Sequence, residues 1–186
     1  MRETIVSIDV ETDGPIPGPH SMLSLGAAAF DEGGQLLVTF SANLAPLPGA
    51  APDPDTLAWW LKHPEAWAEC QRAPRPPEEV MPHFAAWLKD LPGKPVWMAY
   101  PLAFDFMFVQ WYLLRFAGQS PLRHNGIDMR SYAMAMWKCE YQAIGIEDLR
   151  KRWPVKANPH PHNALYDAIE QGQLFAEISR QNRKKD

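Results

Sequence analysis

The sequence predicts an α/β protein with a mixed sheet. Three observations carry this: an opening run with the period of a strand, a meander of two more strands behind it, and then helical periodicity interrupted by one further apolar strand. In the opening run, Ile5 to Glu11, a period of two places Val6, Ile8 and Val10 on one face and Ser7, Asp9 and Glu11 on the other. The loop from Asp13 to Pro19 is too rich in Pro and Gly to be regular. Met22 to Phe30 reads as the second strand, and Asp31-Glu32-Gly33-Gly34 as the turn into a third, Gln35 to Ala42, which completes an antiparallel meander.

The period then changes. From Asp53 to Cys70, Leu57, Trp60, Leu61 and Trp67 fall mainly on one helical face, and Pro64 should break or kink that helix. After Pro76-Pro77, Val80, Phe84, Trp87 and Leu88 recur at three- and four-residue spacing, as in an amphipathic helix. Pro95 to Tyr100 is a short apolar strand. Phe104 to Phe116 is apolar almost all round, as a buried helix is, with Gly118 where a capping glycine belongs. Shorter helices are expected over Ser131 to Trp137 and Ile146 to Arg152. The last helix, about Ala164 to Gln181, turns Leu165, Ala168, Ile169, Phe175 and Ile178 inward.

The 186 residues and 46% hydrophobic content suit one folded domain, expected over residues 1–181 with a basic tail at 182–186. The 19 prolines, about twice the usual ~5% share, cluster at 15–19, 46–54, 74–82 and 154–161 as punctuation between elements. Cys70 and Cys139 are too few and too distant for a disulfide framework or a zinc site. No signal peptide precedes the first strand and no apolar run is long enough to span a bilayer, so a soluble cytoplasmic protein is expected. A net charge of −4 provides no global basic field for nucleic acid.

Asp9 and Glu11 stand side by side on a strand whose other face is aliphatic. In a core, two such charges call for a cation, which suggests a divalent-metal platform; a solvated outer face is the alternative. Asp105 follows a strand and opens the apolar helix, as a site acid in an α/β sheet does, or as an acid stabilised by the helix dipole does. Asp167 shares a helix with the inward Ala168 and Ile169. Five residues at about 100° each set His162 roughly 140° from it, so His162 must precede the helix, in the loop with Asn158-Pro159-His160-Pro161, with Asn163 as N-cap.

The order Asp9 and Glu11, then Asp105, then His162 and Asp167, resembles the DEDDh branch of the DnaQ-like 3′-5′ exonucleases. The likeness is to small stand-alone bacterial or phage members and extends over nearly the whole chain. Ser21 to Ala27 is similar to the start of the family's hairpin, Ala103-Phe104-Asp105 to its second motif, and His162 to Asp167 to its third. Ile127 to Ser131 is similar to a strand-to-helix stretch between them, in which Asp128 is structural.

The resemblance implies a ribonuclease H-like fold: a mixed five-stranded sheet, meander first and parallel strands after, flanked by helices. It implies hydrolysis of single-stranded DNA or RNA from the 3′ end, releasing nucleoside 5′-monophosphates. Two Mg²⁺ or Mn²⁺ ions would be held by Asp9, Glu11, Asp105 and Asp167, hard oxygen ligands for hard cations. Asp9 would bridge the ions, Glu11 and Asp167 complete the first, Asp105 act on the second largely through its waters, and His162 serve as general base. Substrate contacts are implied for Thr12, Gly14, Met22, Leu23 and Phe104, and a homodimer is common among such proteins. RNA 3′-end trimming or short oligoribonucleotides form the alternative substrate class. A catalytically idle nucleic-acid-binding module and a ribonuclease H-type endonuclease are the other readings; the His-x4-Asp spacing favours the exonuclease.

The chain departs from the family at Tyr100-Pro101, where a His-Asn pair is common, and at Asp13-Gly14-Pro15 in place of Thr-Gly; both bear on substrate choice. Trp59 and Trp60 suit base stacking or the core. Arg150-Lys151-Arg152-Trp153 with Lys156 suits phosphate guidance or a solvated helix end, and Arg183-Lys184-Lys185 an exposed tail.

Overall fold

The opening strand, β1 (Glu3–Thr12), lies at the centre of the sheet in the computed structural model, which describes residues 3–153, 155–156 and 158–183. β2 (Met22–Phe30) runs antiparallel beside it, followed by the outer β3 (Leu36–Asn43). On the other side β4 (Lys94–Ala99) and β5 (Gly126–Asp128) run parallel, giving the order β3-β2-β1-β4-β5. The mixed five-stranded sheet is as expected.

α7 (Ala164–Arg183) packs on the face of β1 that carries Asp9 and Glu11 and leaves both half-buried, which removes the fully solvated alternative. Val6, Ile8 and Val10 join the main core with Val80 and Phe84 of α3 (Pro77–Asp90) and Phe108, Val109 and Tyr112 of α4 (Leu102–Tyr112). The opposite face, with Ser7, Asp9 and Glu11, lies under α7. Two glycines permit that close approach. A Cβ on Gly26 of β2 would lie 2.2 Å from the Ala164 carbonyl carbon, and one on Gly172 of α7 would lie 2.1 Å from the Phe30 ring. The N-terminal turn of α7 therefore rests directly on the sheet.

Pro64 ends the first helical stretch by starting a new one: α1 (Pro54–Trp60) and α2 (Pro64–Cys70) each carry proline in the first turn, where its missing N–H costs no hydrogen bond. Asp53 caps α1, accepting from the Thr56 N–H at 2.9 Å. α4 passes into a single wide turn, Leu113–Ala117, and Gly118 closes it at φ 67°. α5 (Met129–Trp137) and α6 (Ile146–Arg152) follow. Asp128 is structural, as expected: one carboxylate oxygen accepts from the Ser131 N–H at 2.7 Å to cap α5, and the other from Leu102 N–H at 3.1 Å where α4 begins.

α7 departs from its expected pattern. Leu165 and Ile169 are only half-buried, whereas Glu170, Gln171, Gly172 and Leu174 are buried with Ala168, Phe175 and Ile178. A helix pressed against a sheet on one side and α6 on another buries more than one stripe. Glu170 is buried because Arg150 of α6 meets it with two N–H donors, at 3.0 and 2.6 Å. No helix among the described residues is long and apolar enough to cross a membrane. Pro154, Lys184 and Lys185 lie outside the described residues; Arg183 donates to the Glu32 carbonyl at 2.9 Å.

Candidate metal centre

Strand alternation puts Asp9 and Glu11 on the same face of β1, and the first turn of α7 lowers Asp167 onto them. One oxygen from each of the three carboxylates lies within 4.8 Å of the others. Asp105 comes from the first turn of α4, 3% exposed, and accepts from the Val10 N–H at 3.0 Å, so it is tied to the residue between the other two strand positions. It stands outside the 4.8 Å group, yet its charge acts on both Asp9 and Glu11.

Burial and mutual repulsion make these acids reluctant to ionise. Desolvation, then Asp105, Glu11 and Asp167, hold Asp9 well above the usual carboxylate range. Desolvation with Asp167 and Asp105 pushes Glu11 to about 8, desolvation takes Asp105 to about 8, and burial takes Asp167 to about 6. Two amides oppose this: Gln171 Nε2 donates to Asp9 Oδ1 and Asn158 Nδ2 to Asp167 Oδ1, each at 2.8 Å. One buried and three half-buried carboxylates that repel one another suit a divalent ion, and an all-oxygen donor set suits Mg²⁺ or Mn²⁺. The residues fit the metals.

His162 lies just before α7 with a left-handed backbone, φ 62°. Asn163 is the N-cap as expected, its side-chain oxygen accepting from the Tyr166 N–H at 3.3 Å. The His162 ring packs edge-on against Trp59 and His63, with centroids 4.8 and 4.6 Å away. Burial first, then the charges of His63 and Arg150, hold its pKa below the ordinary histidine value. A groove of about 750 Å³ opens beside it, with Lys62, His63 and Arg72 on one side and His160 and Tyr166 on the other.

The residues expected to touch substrate are placed unevenly. Thr12 is buried, its Oγ1 donating to the Gly14 carbonyl at 2.9 Å and its carbonyl accepting from Trp60 Nε1–H at 2.8 Å. Gly14 is buried against the His20 ring. Met22 and Leu23 are wholly buried, the first in the main core and the second beneath Trp60 and Cys70, so neither side chain is open to a ligand. Phe104 is half-buried beside Phe108. Trp60 is core, against the stacking reading, while Trp59 keeps 37% exposure. The two arginines of the basic run are engaged with the protein, Arg150 pairing with Glu147 and Glu170 and Arg152 lying over the stacked rings of Trp137 and Trp153, while Lys151 and Lys156 are exposed. Asp13 is buried too. Its carboxylate accepts from Ser21 N–H and its carbonyl from Asp53 N–H at 2.7 Å, which ties the Pro-rich loop to β2 and α1.

Gln171 and His63 were not singled out from the sequence, while Asn158 entered only as part of the His162 loop and Asp13 only as a departure bearing on substrate choice. Gln171 had a signal, standing four residues after Asp167 and hence on the same helix face. The others meet the site only through tertiary contacts.

A family model described as the Rv2179c-like 3′-5′ exoribonuclease domain matches residues 4–179. The chain is 29% identical over 193 residues to the 3′-5′ DNA exonuclease Cap18 of Escherichia coli, covering 99% of this chain and 96% of that protein. Its fold matches S. pombe Pop2p in a form with Mg²⁺ and Mn²⁺ bound, with a TM-score of 0.72, 17% identity, and coverage of 98% of this chain and 85% of that one. It also matches the nuclease domain of 3′hExo, a DEDDh family member bound to rAMP, with a TM-score of 0.71, 13% identity and coverage of 98% and 93%.

Proposed function

Since the chain belongs to the family of Rv2179c-like 3′-5′ exoribonuclease domains, we propose that it uses two divalent ions to release nucleoside 5′-monophosphates from the 3′ end of single-stranded nucleic acid. The observation that carries this reading is the convergence of Asp9, Glu11 and Asp167 within 4.8 Å, with buried Asp105 fastened beside them. Held by these four carboxylates, Mg²⁺ or Mn²⁺ would acidify a water and offset charge on the phosphoryl oxygens and the leaving 3′-oxygen.

The chain's own groups do the rest. His162 takes the proton of the attacking water at an imidazole nitrogen. Its lowered pKa favours that role, because the neutral ring is the proton acceptor. Trp59 and His63 limit the directions its ring can take. Gln171 and Asn158 hold the carboxylates of Asp9 and Asp167 by their amide N–H groups. Of the expected substrate contacts, half-buried Phe104 is the nearest fit to a terminal nucleotide, since Thr12, Gly14, Met22 and Leu23 are buried.

The polymer has two supported readings. The family description favours RNA, and the relative Cap18, matched over almost its whole length, is named for DNA. The test offers 5′-labelled single-stranded DNA and RNA oligonucleotides with Mg²⁺ or Mn²⁺, beside an Asp9→Ala variant. Ladders shortening from the 3′ end, lost in the variant and in chelator, are expected, and the faster polymer identifies the substrate. Absence of metal-dependent product from both would refute the proposal.

A further inference from the structure

Gln171 lies one helical turn after Asp167 on α7, so the face of the helix that presents the acid also presents this amide. Its Nε2 donates to Asp9 Oδ1 at 2.8 Å, and the residue is 7% exposed. The other end of the amide is more telling. Oε1 is buried with no donor among the described residues. With Asp9 ionised, as a metal ligand is, turning the amide over would set Oε1 against a carboxylate, acceptor against acceptor. Ser7, two residues before Asp9 on the same strand face, also has a buried hydroxyl with no partner among the described residues. An apolar side chain of similar shape would fill this space without an orphaned acceptor, so packing does not account for a glutamine here.

We infer that Gln171 is a positioning residue of the metal centre: its N–H fixes the rotation of the Asp9 carboxylate beside Glu11 and Asp167, so that divalent ions meet a preformed ligand. The inference rests on the metal reading given above and adds a residue to it.

The experiment compares the full chain with Gln171→Met, which keeps the length and removes the donor, and Gln171→Asn, which keeps an amide but draws it back by one methylene. Mn²⁺ binding is followed by electron paramagnetic resonance or calorimetry, and metal-free stability by thermal unfolding. Both variants should bind Mn²⁺ about 10- to 100-fold more weakly, the usual effect of removing a hydrogen bond that orients a metal ligand. Gln171→Met should unfold at a temperature no lower than the unaltered chain, and kcat should fall while KM for the oligonucleotide stays constant. Unchanged Mn²⁺ affinity in the two variants overturns the inference alone. So does a Gln171→Met protein that fails to fold or melts well below the unaltered chain, since that marks a packing role. If the unaltered chain binds no Mn²⁺, the metal reading falls and this inference with it.

Discussion

At the scale of single residues, Asp9 illustrates how position converts a common side chain into a reactive one. It sits on the central strand, under a helix, with three other acids acting on it, so its charge is unfavourable until a cation arrives. Asp9→Asn should therefore raise the metal-free melting temperature while lowering kcat by on the order of 10³-fold or more, the scale of several kcal/mol expected for a metal ligand. A variant that melts lower without metal would contradict the electrostatic account. For His162, His162→Ala should reduce kcat by roughly 10²- to 10⁴-fold with little change in KM, as for a general base. The sign of its pKa shift matters too. Since burial, His63 and Arg150 lower it, the neutral form persists to more acidic pH, and the rising limb of activity assigned to this group should lie below the ordinary histidine range and vanish in the alanine variant. A limb that survives unaltered in His162→Ala belongs to another group.

At the scale of elements, the decisive contact is α7 on β2. Asp167 and His162 are placed by the first turn of that helix, and the turn is seated by the absence of a side chain at Gly26. Gly26→Ala inserts a methyl where backbone stands 2.2 Å away. Overpacking of this kind costs ~1–3 kcal/mol, or about 2–4 °C per kcal/mol in a chain of this size. Activity should fall by more than the stability loss explains, because the displaced atoms belong to the turn that carries Asp167. Thermal unfolding read beside kcat at a temperature where the variant is folded checks this; full activity in the folded variant would count against it. Helix boundaries were largely legible in the sequence, down to Ile146–Arg152 and the break at Pro64, because caps, prolines and apolar period are local signals. The buried set of α7 was not, since Glu170 is buried by virtue of a partner twenty residues away.

At the scale of the whole molecule, the clustered acids link stability to pH. The folded chain retains protons on Asp9, Glu11, Asp105 and Asp167 that an unfolded chain releases near pH 4, so unfolding releases protons up to about pH 8. Metal-free stability should therefore decline as pH rises from about 4 to about 8, and Mg²⁺ or Mn²⁺ should restore it most at the upper end, where protons no longer compete for the carboxylates. Melting curves at pH 6 and 8, with metal and with chelator, test this. A metal-free melting temperature that rises over that interval would show that the acids do not interact as their positions require. The same whole-molecule view separates what the residue order determined from what folding decided. Strand alternation and proline breaks are local properties that specified the mixed α/β sheet, and the order of Asp9, Glu11, Asp105, His162 and Asp167 named the acids of the cluster through its resemblance to the exonuclease family. Which residues became closed off, as Met22, Leu23 and Trp60 did, and which became neighbours of the acids, as Gln171, Asn158 and His63 did, depended on contacts between segments far apart in the chain. Burial and desolvation arise only once those segments pack, and so only the tertiary structure could set them.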